Sequence, residues 1–152
     1  MAYMNWTTDL ELGIEVIDAQ HKRIVDYINA LDGAIETNNK QDIIDVAEKV
    51  VNYTVEHFSY EETLLKKADY ILIEPHIMVH KNFTAAAKKM RENVLGENYM
   101  SAAVKMRGEL TIWLTNHIKK EDADYAEVVS HLFNKKSFLN DVSNFLSKKI
   151  EF

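Results

Sequence analysis

The sequence predicts an all-α protein: an up-down-up-down four-helix bundle with an N-terminal arm and a short extra C-terminal helix. Three observations lead there. Glycine and proline are scarce, 4 and 1 in 152 residues, too few turn formers for an all-β fold. Four long stretches space their apolar residues alternately three and four apart, the period of a helix with one buried face. The joints between these stretches are short, which favours antiparallel neighbours. At 152 residues, with 47% hydrophobic and 28% charged, the chain reads as one globular domain over 1–152, large enough to bury a core.

Residues 1–17 are the arm. Trp6, Leu10, Leu12, Ile14 and Ile17 make it too apolar for a free tail, so it is expected to pack on the bundle, which occupies 18–134. The first helix is expected over 18–37 with Asp18 as its N-cap, and its seam reads Ile17, His21, Ile24, Ile28, Leu31, Ile35. Thr37-Asn38-Asn39-Lys40 breaks the pattern. A second helix follows to about residue 67, with the seam Ile43, Ala47, Val50, Thr54, His57, Glu61, Leu64.

The joint over 68–74 leads to Pro75, a residue favoured at the first helical position. The third helix then runs to about residue 95, where Gly96 is placed to end it. Its seam is His76, His80, Phe83, Ala87, Met90, Val94. The fourth begins near residue 98 and continues to about 134, through Met106, Leu110, Trp113 and His117. Beyond it, Phe138, Leu139, Val142, Phe145, Leu146 and Ile150 suit an amphipathic helix over 137–150. That helix is expected to cover apolar bundle surface; the alternative is a docking face for a partner or a second copy.

Composition also excludes function classes. A net charge of −6 with no dense Lys/Arg stripe argues against nucleic-acid binding, where phosphate neutralisation supplies most of the affinity. No apolar run approaches the roughly 20 residues that span a bilayer. The first residues show neither the basic nor the apolar region of a secretion signal, so a cytoplasmic protein is expected. With no cysteine, any metal must be held by histidines and carboxylates.

Five of the six histidines fall on the seams, and they are spread over all four helices. With about 2 seam positions in 7, five independent placements there have a chance of about 1 in 500. Taken singly, each histidine reads as a core or surface residue. Together with Glu61 they would be costly to bury without partners, a few kcal/mol per uncompensated polar group. Imidazole nitrogen and carboxylate oxygen are good iron ligands, so a metal would satisfy them.

The i,i+4 pairs His57/Glu61 and His76/His80 each share one helix face. His117 and Asp122 are five apart and would diverge by about 140° on a regular helix. The apolar pattern resumes one residue late, at Asp122, Tyr125, Val129 and Leu132. A wide, π-type turn between His117 and Asp122 would restore the alignment. His131 lies off the seam and is read as a surface residue. Glu62 points about 100° from Glu61 and is read as solvated.

The order His21, His57-x-x-x-Glu61, His76-x-x-x-His80, His117-x-x-x-x-Asp122 resembles the ligand signature of the hemerythrin family. Gly13-Ile14, Ile17-Asp18-x-Gln20-His21-Lys22, His57-Phe58 and Trp113-Leu114-x-x-His117-Ile118 strengthen the likeness, which covers roughly residues 5 to 130. The resemblance implies a non-haem di-iron centre that binds molecular oxygen reversibly, for storage or for delivery to an oxygen-consuming enzyme. It assigns His76, His80 and His117 to one iron and His21 and His57 to the other. Glu61 and Asp122 bridge them, with an oxo or hydroxo group as the third bridge. Oxygen would bind at the iron with two histidines. Val25, Ile28, Tyr53, Trp113 and Leu114 are the candidates for a dry wall around it.

Rival readings are an oxygen or redox sensor and a di-iron enzyme acting on peroxide or nitric oxide. No dedicated proton donor or substrate pocket is visible in the sequence, which weighs against the enzyme. A monomer is expected, with residues 137–150 as the alternative dimer contact.

Overall fold

The computed structural model describes residues 2–131. A short 3-10 turn, Thr8–Leu10, precedes four long helices: α1 Glu15–Glu36, α2 Lys40–Lys67, α3 Ile73–Asn93 and α4 Tyr99–His117. A wide π-helical turn, Ile118–Asp122, joins α4 to α5, Ala123–Ser130. The four long helices form a closed ring in which α1 and α3 each pack against both α2 and α4. The core runs along the axis, and its largest fully buried side chains include Ile17, Ile28, Leu31, Ile43, Leu64 and Met106. The seams line that axis, except that Ile35 and Trp113 are only partly buried. No helix of the described residues is long and apolar enough to cross a membrane.

The helix ends depart from the sequence expectation in three places. α1 starts at Glu15, one turn before Asp18, with Ile14 as its N-cap. Gly13 takes φ +79°, a left-handed conformation open to glycine, and turns the arm back over the helix. The Asp18 carboxylate therefore accepts hydrogen bonds from the Leu12 and Gly13 amides at 2.9 and 3.1 Å. It caps the turn before the helix rather than the helix itself.

α3 starts two residues before Pro75. The ring is tolerated there because the first four helical amides have no intrahelical partner. α3 also ends at Asn93, short of the expected 95, and the chain turns over 94–98. The expected helix over 137–150 lies outside the described residues.

Two joints use left-handed residues to stop helices cleanly. Asn38 at φ 51° closes α1, with the Asn39 amide reaching back to the Ala34 carbonyl; the Asn39 side chain then caps α2 through the Asp42 amide. Asp69 at φ 53° closes α2 in the same way, with Tyr70 N–H bonding Leu65 O. The arm is tied to α1 by paired bonds between Met4 and Asn29, at 2.8 and 2.9 Å. Its Asp9 meets Lys119 of the wide turn at 2.7 Å.

Candidate metal centre

At one end of the bundle axis, side chains from all four helices turn inward. His21 comes from α1, His57 and Glu61 from α2, His76 and His80 from α3, His117 from the last residue of α4, and Asp122 from the last residue of the wide turn. All seven are buried, none more than 4% exposed. Their donor atoms form two overlapping groups. One holds His76, His80 and His117, the other His21 and His57, and Glu61 and Asp122 belong to both.

Within each group the ligand atoms lie within 4.8 Å of one another. Each carboxylate divides its oxygens between the groups. Glu61 sets Oε1 at 2.8 Å from His76 Nε2 and 3.1 Å from His80 Nε2, while its Oε2 lies 3.3 Å from His57 Nε2. Asp122 sets Oδ1 at 3.2 Å from His76 Nε2 and 3.1 Å from His117 Nε2, and Oδ2 at 3.2 Å from His21 Nε2.

The wide turn produces the last of these contacts. The Ala123 amide bonds the Ile118 carbonyl, five residues back rather than four. That extra residue brings His117 and Asp122 onto one face, and Tyr125 and Val129 follow onto the core side, both fully buried.

A cation fits this donor set. His21 Nε2 lies 3.1 Å from His57 Nε2, and His80 Nε2 lies 3.2 Å from His117 Nε2. The outer nitrogens of His57 and His80 face acceptor oxygens, Gln20 Oε1 at 2.5 Å and Glu62 Oε2 at 2.9 Å. These two rings therefore keep their proton outside, and their Nε2 lone pairs point at neighbouring nitrogens. Both oxygens of Asp122 are buried and accept no well-aligned hydrogen bond, although imidazole nitrogens crowd them. Crowded lone pairs around uncompensated carboxylates are costly unless a positive ion sits among them.

The charges are tightly coupled. Burial holds the His57 imidazole below its ordinary pKa, so it is neutral and ready to ligate. Burial acts in the same direction on His76, but the Asp122 and Glu61 carboxylates overcome it and raise the group to about 10. His80 is likewise raised, against its burial, by Glu61 and Glu62. Burial would lift Glu61, yet the imidazoles of His57, His76 and His80 packed on its oxygens hold it well below the usual carboxylate range. Asp122 is lowered too: burial and the Glu61 charge oppose ionisation, and the His117 and His21 imidazoles outweigh them.

Three neighbours of the cluster have roles the sequence reading did not assign. Gln20 is fully buried and faces His57. Tyr125 donates its hydroxyl to Glu61 Oε2 at 2.8 Å. Glu62, expected to be solvated, instead accepts from His80 at 2.9 Å with its side chain 28% exposed. The expectation failed because the contact crosses from α2 to α3, and a direction taken from one helix says nothing of its neighbour. Tyr125 did carry a signal, since it follows Asp122 by three residues and so shares its face. His131 is exposed, as read.

Among the wall candidates, Val25, Ile28, Tyr53 and Leu114 are buried. Trp113 is partly buried and stacks between Phe83 and His117, with ring centroids 3.7 and 4.4 Å away. Phe58 lies flat on His80 at 3.9 Å.

Comparison with known proteins agrees with this geometry. Residues 12–129 match the family model described as the hemerythrin HHE cation binding domain. The chain is 39% identical over 132 residues to a bacteriohemerythrin of Pseudomonas paraeruginosa, covering 86% of this chain and 84% of that one. It is 35% identical over 135 residues to a bacteriohemerythrin of Stenotrophomonas maltophilia, with 89% and 87% covered. A myohemerythrin of Theromyzon tessulatum is 29% identical over 120 residues, with 79% and 88% covered. The crystal structure of a wild-type hemerythrin superposes with a TM-score of 0.73 at 28% identity, covering 85% of this chain and 99% of that one.

Proposed function

Since this chain belongs to the hemerythrin family, we propose that it binds molecular oxygen reversibly at a non-haem di-iron centre, as a carrier rather than an enzyme. His76, His80 and His117 would hold one iron and His21 and His57 the other, with Glu61 and Asp122 shared between the two. The observation that carries this reading is the division of each carboxylate between the two imidazole groups, one oxygen to each. Two carboxylates confined to a single metal would have no reason to straddle in this way.

When bound, the irons supply electrons to oxygen and recover them on its release. The protein's own residues set the conditions. Five neutral imidazoles against two carboxylates keep the centre less anionic than a carboxylate-rich site, which disfavours irreversible oxidation. The group with only His21 and His57 has one imidazole fewer, so its metal has room for an exogenous ligand. Tyr125 holds Glu61 in the bridging orientation through its hydroxyl. Gln20 fixes the tautomer of His57, leaving Nε2 free to ligate. Val25, Ile28, Tyr53, Trp113 and Leu114 wall the site against water and protons. The role is storage of oxygen or its delivery to an oxygen-consuming enzyme, by a monomer.

The test is iron content and the visible spectrum of one sample that is reduced anaerobically, exposed to oxygen and then deoxygenated. Two irons per chain and a charge-transfer band that appears with oxygen and fades on its removal are expected. Immediate irreversible oxidation would overturn the carrier reading, and a chain that takes up no iron would overturn the site.

A further inference from the structure

The inward faces of the histidines are alike, but their outward faces are not. His57 Nδ1 meets the neutral amide oxygen of Gln20. His80 Nδ1 meets a carboxylate, Glu62 Oε2, at 2.9 Å. His21 Nδ1 and His117 Nδ1 are buried without a hydrogen bond; Glu121 Oε1 lies 3.8 Å from the latter, beyond hydrogen-bonding reach. A carboxylate is thus hydrogen-bonded to an imidazole of the three-histidine group, and a neutral amide to one of the two-histidine group.

Glu62 is partly open to solvent, since it forms part of the wall of a groove of about 690 Å³ between α2 and α3. Lys66, Lys81 and Lys88 line the same groove, and Phe58 stacks on the other side of the His80 ring. His80 is therefore held in plane by Phe58 and along its Nδ1–H axis by Glu62. A carboxylate accepting that proton draws it outward and leaves more electron density on Nε2, which makes the imidazole a stronger donor. Stronger donation stabilises a ferric ion more than a ferrous one.

Resting on the di-iron reading above, we propose that Glu62 is a positioning residue that acts through His80 to favour oxidation of the three-histidine iron and so to tighten oxygen binding. Oxygen binding draws electron density from the irons, so a ligand that supports the ferric state supports oxygen retention. The neutral Gln20 leaves the two-histidine metal without that push.

Two substitutions separate charge from contact. E62Q keeps an acceptor oxygen and removes the charge; E62A removes both. The midpoint potential, measured by spectroelectrochemistry beside iron content, should rise from wild type to E62Q to E62A. Loss of a partner of this kind is worth about tenfold, which for one electron corresponds to about 59 mV. Oxygen should leave the E62A protein about tenfold more readily.

In the metal-free protein, the downfield, slowly exchanging proton of His80 Nδ1–H should be lost in E62A and kept in E62Q, because only E62A removes its acceptor. If both variants hold two irons at the wild-type potential, Glu62 is only a surface residue and the inference fails, with the function untouched. Wild-type protein that binds no iron would overturn the function and this inference together. If E62A does not load, the E62Q potential decides.

Discussion

Each ligand of the cluster has its own geometry, and single substitutions should report it. His57 lies within 3.1 Å of His21 and 3.3 Å of Glu61, with its outer nitrogen on Gln20. Replacing it by alanine leaves the proposed oxygen-binding metal with one imidazole. His57→Ala should lower the iron content from about two per chain toward one and abolish the oxygen-dependent band, while far-UV dichroism stays helical. An unchanged band would mean that the site is assigned to the wrong residues.

His76 carries a second prediction. In the metal-free chain its pKa is raised to about 10, so it holds its proton at neutral pH. Ligation needs the lone pair, so the proton must leave when metal enters. Ferrous iron added to metal-free protein at pH 7 should release at least about one proton per chain, read with an indicator dye in weak buffer. Uptake without release would show that His76 Nε2 is not a ligand.

Among the elements, the wide turn matters most. Its one extra residue is what lets His117 and Asp122 meet at 3.1 Å. Deleting exposed Lys120 should return the segment to regular α-helix. His117 and Asp122 would then stand four residues apart, the spacing of His57 and Glu61, and still share one face, with Tyr125 and Val129 kept on the core side. The expected outcome is that two irons per chain are kept with helical content retained, seen by metal analysis and dichroism. A deletion variant that loses its iron would show that the turn does more than keep Asp122 on the face of His117. An exposed ion pair from Lys119 to Asp9 also joins this turn to the arm.

For the whole molecule, the bundle and the metal centre are thermodynamically linked. The apolar core is complete without iron along most of the axis, from Leu31 and Ile43 to Met106. Toward the centre it gives way to buried polar or charged residues, ten among the described residues and seven of them the candidate ligands. Metal that binds the folded chain and not the unfolded one stabilises it by mass action. Free iron at a thousandfold over its Kd would contribute about 4 kcal/mol, which for a chain of this size raises Tm by about 8–16 °C. Chelation should lower Tm by that order, and iron added back should restore it in a calorimeter. A Tm indifferent to iron would mean that the cluster already satisfies itself without metal.

The sequence alone determined the four helices, the seams and the seven inward residues, because helical periodicity is a local property and a residue's face follows from its spacing. It also carried the wide turn, since the apolar pattern after His117 slips by one position. What only the tertiary structure decided is everything that crosses between helices. The oxygen-by-oxygen contacts of Glu61 and Asp122 with the two imidazole groups, the partnership of Glu62 with His80, and the stacking of Trp113 on His117 depend on how far apart α1, α2, α3 and α4 sit and how each is rotated. The same holds for Asp18, whose carboxylate serves the preceding turn because Gly13 folds the arm back within its reach. Spacing along one helix cannot encode these meetings, because they are set by the packing of one helix against another.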